Sequence, residues 1–247
     1  MRKVLTLLVI SVGCSYALPN IGGEVSLGAM TLNPSGYIQY QGDRLDVDGD
    51  LALGKETKLF GRIKLEIPVL PNVYLQYIPM SFEGETNRTF TYGGTTFTGR
   101  VRSYVKLDHY DVGLYYNIPF LNTATGGVLE TELGINIRVL GFEGTITEVN
   151  TNTTESKSIT AAIPMAYVGV GVNLPYIKLL GELRGITYSG HKYYDLTGEI
   201  RIHPVPSLSS LFVGLGYRYE RLRLDNLEDI NTDVKIKGLF GNVGIAF

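Results

Sequence analysis

The sequence predicts an all-β protein: a single transmembrane, antiparallel, up-and-down β-barrel of ten strands, with eight as the alternative count. Three observations predict it. First, residues 239–247 set Leu239, Val243, Ile245 and Phe247 on one face of a two-residue repeat, against Phe240, Asn242, Gly244 and Ala246. Second, an export leader stands at the other end of the chain. Third, alternating segments fill the space between, bounded by Pro, Gly and Asn turns, and several are longer than the ~5–6 residues usual in soluble sheets. They reach the ~9–11 residues that a tilted strand needs to cross lipid. No later stretch approaches the ~20 apolar residues of a spanning helix.

The leader reads Met1-Arg2-Lys3, an apolar run over 4–12, then the small-x-small site Ser15-Tyr16-Ala17. This predicts a signal peptide over 1–17 and a mature barrel over 18–247. Cys14 offers a lipoprotein reading, disfavoured because Ser11 rather than Leu stands three residues before it. Cleavage after Ala17 leaves no cysteine, hence no thiol or disulfide chemistry. Removing Arg2 and Lys3 leaves 20 basic against 24 acidic side chains, a net charge of about −4. No basic patch suits nucleic acid. Abundant Gly and Tyr, with no Trp, fit many turns and interfacial aromatics.

The strands follow in order. Residues 22–41 alternate Val25, Leu27 and Ala29, and 41–56 form an acidic loop. In 59–67, Leu59, Gly61, Ile63, Leu65 and Ile67 oppose Phe60, Arg62, Lys64 and Glu66. After a Pro-bounded turn at 68–72 come strands at 73–88 and 100–118, separated by a loop tip at 92–95. Pro79 inside the third strand predicts a break or bulge near the rim. Residues 128–149 place Leu133, Ile135, Ile137 and Val139 on one face and Glu130, Glu132, Gly134, Asn136 and Arg138 on the other. Strands over 158–174, 178–188, 193–203, 211–224 and 234–247 complete the set. Turns after the even strands are short or Pro-marked, and most after the odd strands are longer and polar. That asymmetry predicts short periplasmic turns, longer external loops and both termini in the periplasm.

With the apolar face towards lipid, the interior receives Arg62, Lys64, Glu66, Glu130, Glu132, Arg138, Glu182, Arg184, Glu199, Arg201, Arg218 and Glu220. Enclosed charges persist when paired, so a cross-strand ion-pair network follows. It either plugs the barrel or lines a narrow small-solute pore. Tyr74, Tyr116, Phe120, Tyr176, Phe212 and Phe247 are expected in an aromatic girdle at the short-turn end, and Tyr40, Tyr188 and Tyr193 in one at the loop end.

The chemistry on offer is thin. Asp46, Asp48 and Asp50 could hold Ca²⁺, but the spacing departs from an EF-hand loop and a solvated loop is the expectation. His109, His191 and His203 form no Ser–His–acid constellation by spacing, so no catalytic residue is assigned and an outer-membrane hydrolase stays an alternative. A surface binding module is the other. No cofactor is indicated.

The chain also resembles a family of bacterial outer-membrane β-barrels named for a Gly-Gly motif. The resemblance rests on Leu70-Pro71-Asn72-Val73-Tyr74-Leu75-Gln76-Tyr77, Phe90-Thr91-Tyr92-Gly93-Gly94-Thr95-Thr96-Phe97, Leu107-Asp108-His109-Tyr110-Asp111-Val112-Gly113-Leu114-Tyr115-Tyr116, Ile163-Pro164-Met165 and the last strand. It implies fold and location and names no ligand. The terminal strand, with Val243, Ile245 and Phe247, resembles the signature read by barrel-assembly machinery. The expected partners are that machinery and outer-membrane lipid.

Overall fold

The computed structural model describes residues 21–204 and 210–247. The expected signal peptide and the centre of the turn at 204–207 lie outside them. Three long strands open the chain: β1 (Gly22–Tyr40), β3 (Glu56–Glu66) and, in two halves, β4 (Asn72–Ile78) with β5 (Ser81–Asn87). Then come β8 (Arg100–Asn117), β9 (Leu129–Glu148), β10 (Thr154–Leu174), β11 (Ile177–Tyr188), β12 (His191–Ile202), β13 (Leu211–Leu227) and β14 (Ile230–Ala246). Each pairs antiparallel with its neighbours. β14 returns to β1 from Glu24↔Ala246 to Tyr40↔Ile230, closing ten strands into a barrel with no free lateral edge at that seam.

The break at Pro79 divides β4 from β5 opposite the middle of β8, not near the rim as expected. β4 covers the lower part of β8, from Asn72↔Tyr115 to Ile78↔His109, and β5 the upper, from Ser81↔Lys106 to Asn87↔Arg100. A proline cannot donate to a ladder, so the strand splits there without disturbing β8.

Two of the expected loops carry small elements of their own. β2 (Arg44–Asp46) pairs with β1, and β6 (Phe90–Tyr92) with β7 (Thr95–Phe97) forms a hairpin across Gly93-Gly94. Both glycines have positive φ, 61° and 76°, which a side chain would strain. The turn at 119–127 holds a short helix, α1 (Pro119–Ala124). Two other expected loops are corrected. Residues 154–157 belong to β10, and strand pairing continues to Leu227↔Ile230. Threonine-rich strands make good sheet outside a bilayer: Thr145 bonds Ser156 at 2.9 Å and Thr147 bonds Thr154 at 3.1 Å across the β9–β10 ladder.

The outer surface of the lower barrel is apolar. Leu59, Leu75, Val112, Leu114, Leu133, Ile135, Ile137, Val168, Val170, Leu196, Ile200, Val213, Leu215, Leu239 and Val243 are all exposed, Leu215 by 66%. Higher up, the apolar residues change face. On β9 the last exposed one is Val139 and the first buried one is Leu140, followed by Ile146. On β8, Tyr110, Val112 and Leu114 point out, whereas Leu107, Val105 and Val101 point in. On β14 the change falls between Leu239 and Ile236. The inner face is therefore polar only in the lower barrel, which corrects the expectation of a polar interior throughout. The upper interior is a hydrophobic core. Strand residues such as Met30, Leu32, Ile78 and Phe82 meet Leu45, Val47, Leu51, Leu53, Phe90, Tyr92 and Phe97 from the two folded-in loops.

Candidate functional site

The lower lumen is filled by three knots of charge. In the first, Arg62 pairs with both oxygens of Glu182, Lys64 bonds Glu132 at 2.8 and 2.9 Å, and Arg184 donates to Glu182 at 2.8 Å. The Tyr167 hydroxyl donates to Glu132 at 2.5 Å and lies 3.1 Å from a Glu182 oxygen. In the second, Arg138 grips Asp111 with two bonds of 2.8 Å, Asp195 with one of 2.5 Å and Glu220 with one of 3.3 Å. Arg218 reaches Asp195 at 2.6 Å and Glu220 at 3.1 Å. In the third, Arg201 bonds Glu24 at 2.6 Å and Glu199 at 2.7 Å, and Asn242 donates to Glu199 at 3.0 Å.

These groups meet because the register brings alternate residues of facing strands inward at one height. Arg138 and Asp111 are direct partners across β8 and β9, and Asp195 and Glu220 across β12 and β13. Arg138 and Arg184 are fully buried. Desolvating such a charge is costly unless every partner is in place, so the lumen is held by complementary pairing. Tyrosines supply the remaining bulk. Tyr74 donates to Asn136 at 2.6 Å and accepts from Arg184 at 2.7 Å, and its ring lies 5.2 Å from that of Tyr167. Its strand partner is Gly113, where a Cβ would sit 1.9 Å from the Tyr74 ring. Glycine there is what admits the tyrosine to the lumen.

Of the charges expected inside, Arg62, Lys64, Glu132, Arg138, Glu182, Arg184, Glu199, Arg201, Arg218 and Glu220 join these knots. Glu130 stands lower, bonded to Lys178 at 2.6 Å, and Glu66 lines the same mouth without an ion pair among the described residues. That mouth is a polar vestibule of about 280 Å³ beside α1, reaching up only to Lys64, Glu132 and Arg201. Missing from the expected set were Glu24, Asp111, Asp195 and His109. The parity of Asp111 and Asp195 in their strands was the signal that could have found them.

The girdles also need correction. Tyr116, Phe120, Tyr176 and Tyr188 are exposed, but Tyr74, Tyr193 and Phe212 are buried inside. Tyr40 packs edge-on against Tyr92, with centroids 5.4 Å apart. Inward tyrosines serve the network instead: the Tyr193 hydroxyl donates to Glu220 at 2.5 Å. Among the expected closing residues, Phe247 exchanges backbone bonds with Gly23 at 2.8 and 2.9 Å, and Val243 is exposed on β14.

No catalytic arrangement emerges around the histidines. His109 accepts from Arg218 at Nε2, 3.1 Å, and its Nδ1 lies 3.3 Å from the Leu107 carbonyl, which assigns the proton to Nδ1. His191 accepts the Asp225 N–H at 3.2 Å, tying the tip of the β11–β12 hairpin to β13. The acidic loop is occupied with itself: Asp46 accepts the N–H groups of Asp48 and Gly49, and Asp50 accepts that of Asp46 and pairs with Arg88. Among the described residues, no group of three His, Cys, Asp or Glu side chains could hold a metal ion.

No family model and no curated protein matches the chain. It is similar in structure to the translocator domain of the autotransporter NalP from Neisseria meningitidis, at 10% identity and a TM-score of 0.44, over 100% of this chain and 95% of that one. It is also similar to the outer membrane protein AlkL, at 13% identity and 0.41, over 92% and 90%. The attachment invasion locus protein Ail of Yersinia pestis aligns at 10% identity and 0.38, over 92% and 98%.

Proposed function

We propose that this chain is an integral protein of the bacterial outer membrane whose barrel is plugged and passes no ions. The carrying observation is the change of face of the apolar residues. Where Leu133, Ile135, Ile137 and Val139 point outward, the interior is ionic; beyond Val139 the outside is polar and the interior apolar. A strand is written this way when its lower part is solvated by hydrocarbon and its upper part by water. Gly22, where β1 begins, and Phe247 lie together at the end opposite the folded-in loops, the periplasmic side in this reading, and the terminal strand would be what the assembly machinery binds.

Plugging is supported from both ends. The polar vestibule stops at the Lys64–Glu132 pair, and the apolar core around Phe82, Phe90 and Phe97 lies across the upper lumen. An ion entering from below would have to shed its water against charges already engaged with one another and then cross hydrocarbon. The test is single-channel recording of the refolded barrel in a planar bilayer. A folded, inserted and silent barrel is the expected result. Steady conductance steps would overturn the plug and restore the narrow-pore reading.

A second reading accompanies the first. The upper strands and the two folded-in loops form a core of their own beyond the apolar belt, which suits a platform for binding at the cell surface.

A further inference from the structure

The barrel wall parts in two places in its upper half. The first lies between β3 and β5, which do not pair. Residues 47–54 fill it: the Gly54 N–H donates to the Glu83 carbonyl at 3.2 Å, and Leu51 and Leu53 are buried there. The second lies between β10 and β11. Their ladder runs from Leu174↔Ile177 only to Ala166↔Gly185, although β10 continues up to Thr154. The β11–β12 hairpin is short, with 12 residues in each strand against 21 in β10 and 17 in β13. β13 in turn rises past its last β12 pair, Lys192↔Arg223, to Leu227. Pro164, which has no N–H to give, stands two residues past the last β10–β11 pair. The result is a notch bounded by β10, the hairpin tip and β13. Among the described residues no strand pairs into it.

Behind this notch lies an apolar cavity. Its walls include Ile159, Ala161 and Ile163 from β10, Phe142 from β9, and Leu222 and Leu224 from β13. Its volume is about 40 Å³. It is narrow, and Thr232 is the one lining residue with a polar side chain. Polar contacts roof it: Lys157 bonds Glu228 at 3.1 Å, and Gln41 bonds Asp229 at 2.8 Å. The floor of the notch meets the apolar belt. Ala166 pairs with Ile135, four residues below Ala162, which pairs with Val139 at the top of the exposed apolar run.

We propose that this cavity takes the end of one hydrocarbon chain of a lipid from the adjoining leaflet, admitted sideways through the notch. The proposal rests on the membrane reading above. Continuity of the notch floor with the lipid-facing belt points to a membrane lipid as the source. The apolar walls select hydrocarbon, because a polar group placed there would lose its water without a partner. The narrowness selects a single linear chain, and the ionic network beneath sets how far it can enter. The outward Lys192 and Arg223, paired at the hairpin tip, stand where the head group would remain.

The chain contains no tryptophan, so each introduced tryptophan reports alone. Phe142→Trp places the reporter in the cavity, Leu215→Trp in the belt and Phe97→Trp in the core away from the notch. Leu224→Trp and Phe90→Trp replace the first and third if either fails to fold. Each is refolded into phosphatidylcholine vesicles with plain or dibrominated acyl chains. The expected result is that the cavity tryptophan loses as large a fraction of its emission to brominated lipid as the belt tryptophan, while the core tryptophan keeps its emission. Adding Ala161→Phe, which fills the cavity, is expected to restore the emission of the Phe142→Trp variant and leave Leu215→Trp quenched. A cavity tryptophan unquenched beside a quenched belt overturns the proposal. So does quenching that Ala161→Phe leaves unchanged, since the bromine then acts through the wall. Quenching by a brominated alkane added to plain vesicles, but not by brominated lipid, would replace the lipid by a free apolar solute. An unquenched belt tryptophan would instead overturn the membrane reading itself.

Discussion

Replacing Arg138 by methionine isolates what the lumen network contributes. Arg138 is fully buried and reaches three carboxylates: Asp111 twice at 2.8 Å, Asp195 at 2.5 Å and Glu220 at 3.3 Å. Two of the three have other partners. Asp195 keeps Arg218 at 2.6 Å, and Glu220 keeps Arg218 at 3.1 Å and Tyr193 at 2.5 Å. Asp111 keeps only the Asn136 amide at 2.8 Å among its direct bonds. The substitution therefore strands one buried carboxylate, a defect that costs about 3–5 kcal/mol. With a urea dependence of roughly 1–3 kcal/mol per molar, the unfolding midpoint should fall by about 1 M or more. The assay is urea unfolding of the barrel refolded into micelles, followed by circular dichroism. Adding Asp111→Asn removes the stranded charge, so the double variant should recover at least ~1 kcal/mol relative to the sum of the single losses. An Arg138→Met barrel within about 0.5 kcal/mol of the parent, the range of inert surface changes, would refute the claim that paired charge holds the lumen.

Two further outcomes follow from the upper barrel. Phe97 is fully buried among the residues of the folded-in loops, so Phe97→Ala should cost about 3–5 kcal/mol, read as a lowered midpoint in the same assay. Asp233 sits above the belt and bonds Arg221 at 2.7 and 2.8 Å. That bonding holds its carboxyl below its ordinary value of 3.8. A depressed folded value means the pair stabilises the fold above the unfolded pKa and loses that contribution as pH falls through the folded one. Carbon-detected NMR titration should place Asp233 below 3.8, and Arg221→Gln should move it back up. No upward movement would separate Asp233 from Arg221.

Much of the barrel was legible in the sequence because its code is period two, and hydrocarbon on one face makes that code loud in Leu133 to Val139. The even strand count and the break at Pro79 came from local chemistry of the same kind. The upper half was not legible for a particular reason. On β8 the apolar set moves from Tyr110, Val112 and Leu114 to Leu107, Val105 and Val101 without a bulge, so the alternation continues while its meaning inverts. Treating the whole strand as one pattern assigns every upper residue to the wrong solvent. Leu45, Val47, Leu51 and Leu53 were hidden differently: a few apolar residues in an acidic, glycine-containing stretch read as loop until tertiary packing buries them. Asp111 and Asp195 lay on the correct face, but their partners come from strands far apart in the chain, and pairing across a lumen has no short-range signal.

The inversion explains why ionic and apolar fillings are stacked rather than mixed. At belt height the outer face takes most of the apolar residues, so the same strands turn many polar residues inward, and those above the vestibule are shut off from water. Pairing is then the one arrangement that holds them, and it gives the lower barrel its specificity of register: shifting β9 by one residue would carry Arg138 to the outer face and leave Asp111 alone inside. Above the belt, water takes the polar residues and the interior can close on hydrophobic burial as a soluble domain does. The lower barrel fixes where each strand stands, and the upper barrel uses those fixed strands as the wall of a core. The β11–β12 hairpin ends just where the first task is complete, leaving the second wall incomplete where an apolar cavity adjoins an apolar surface.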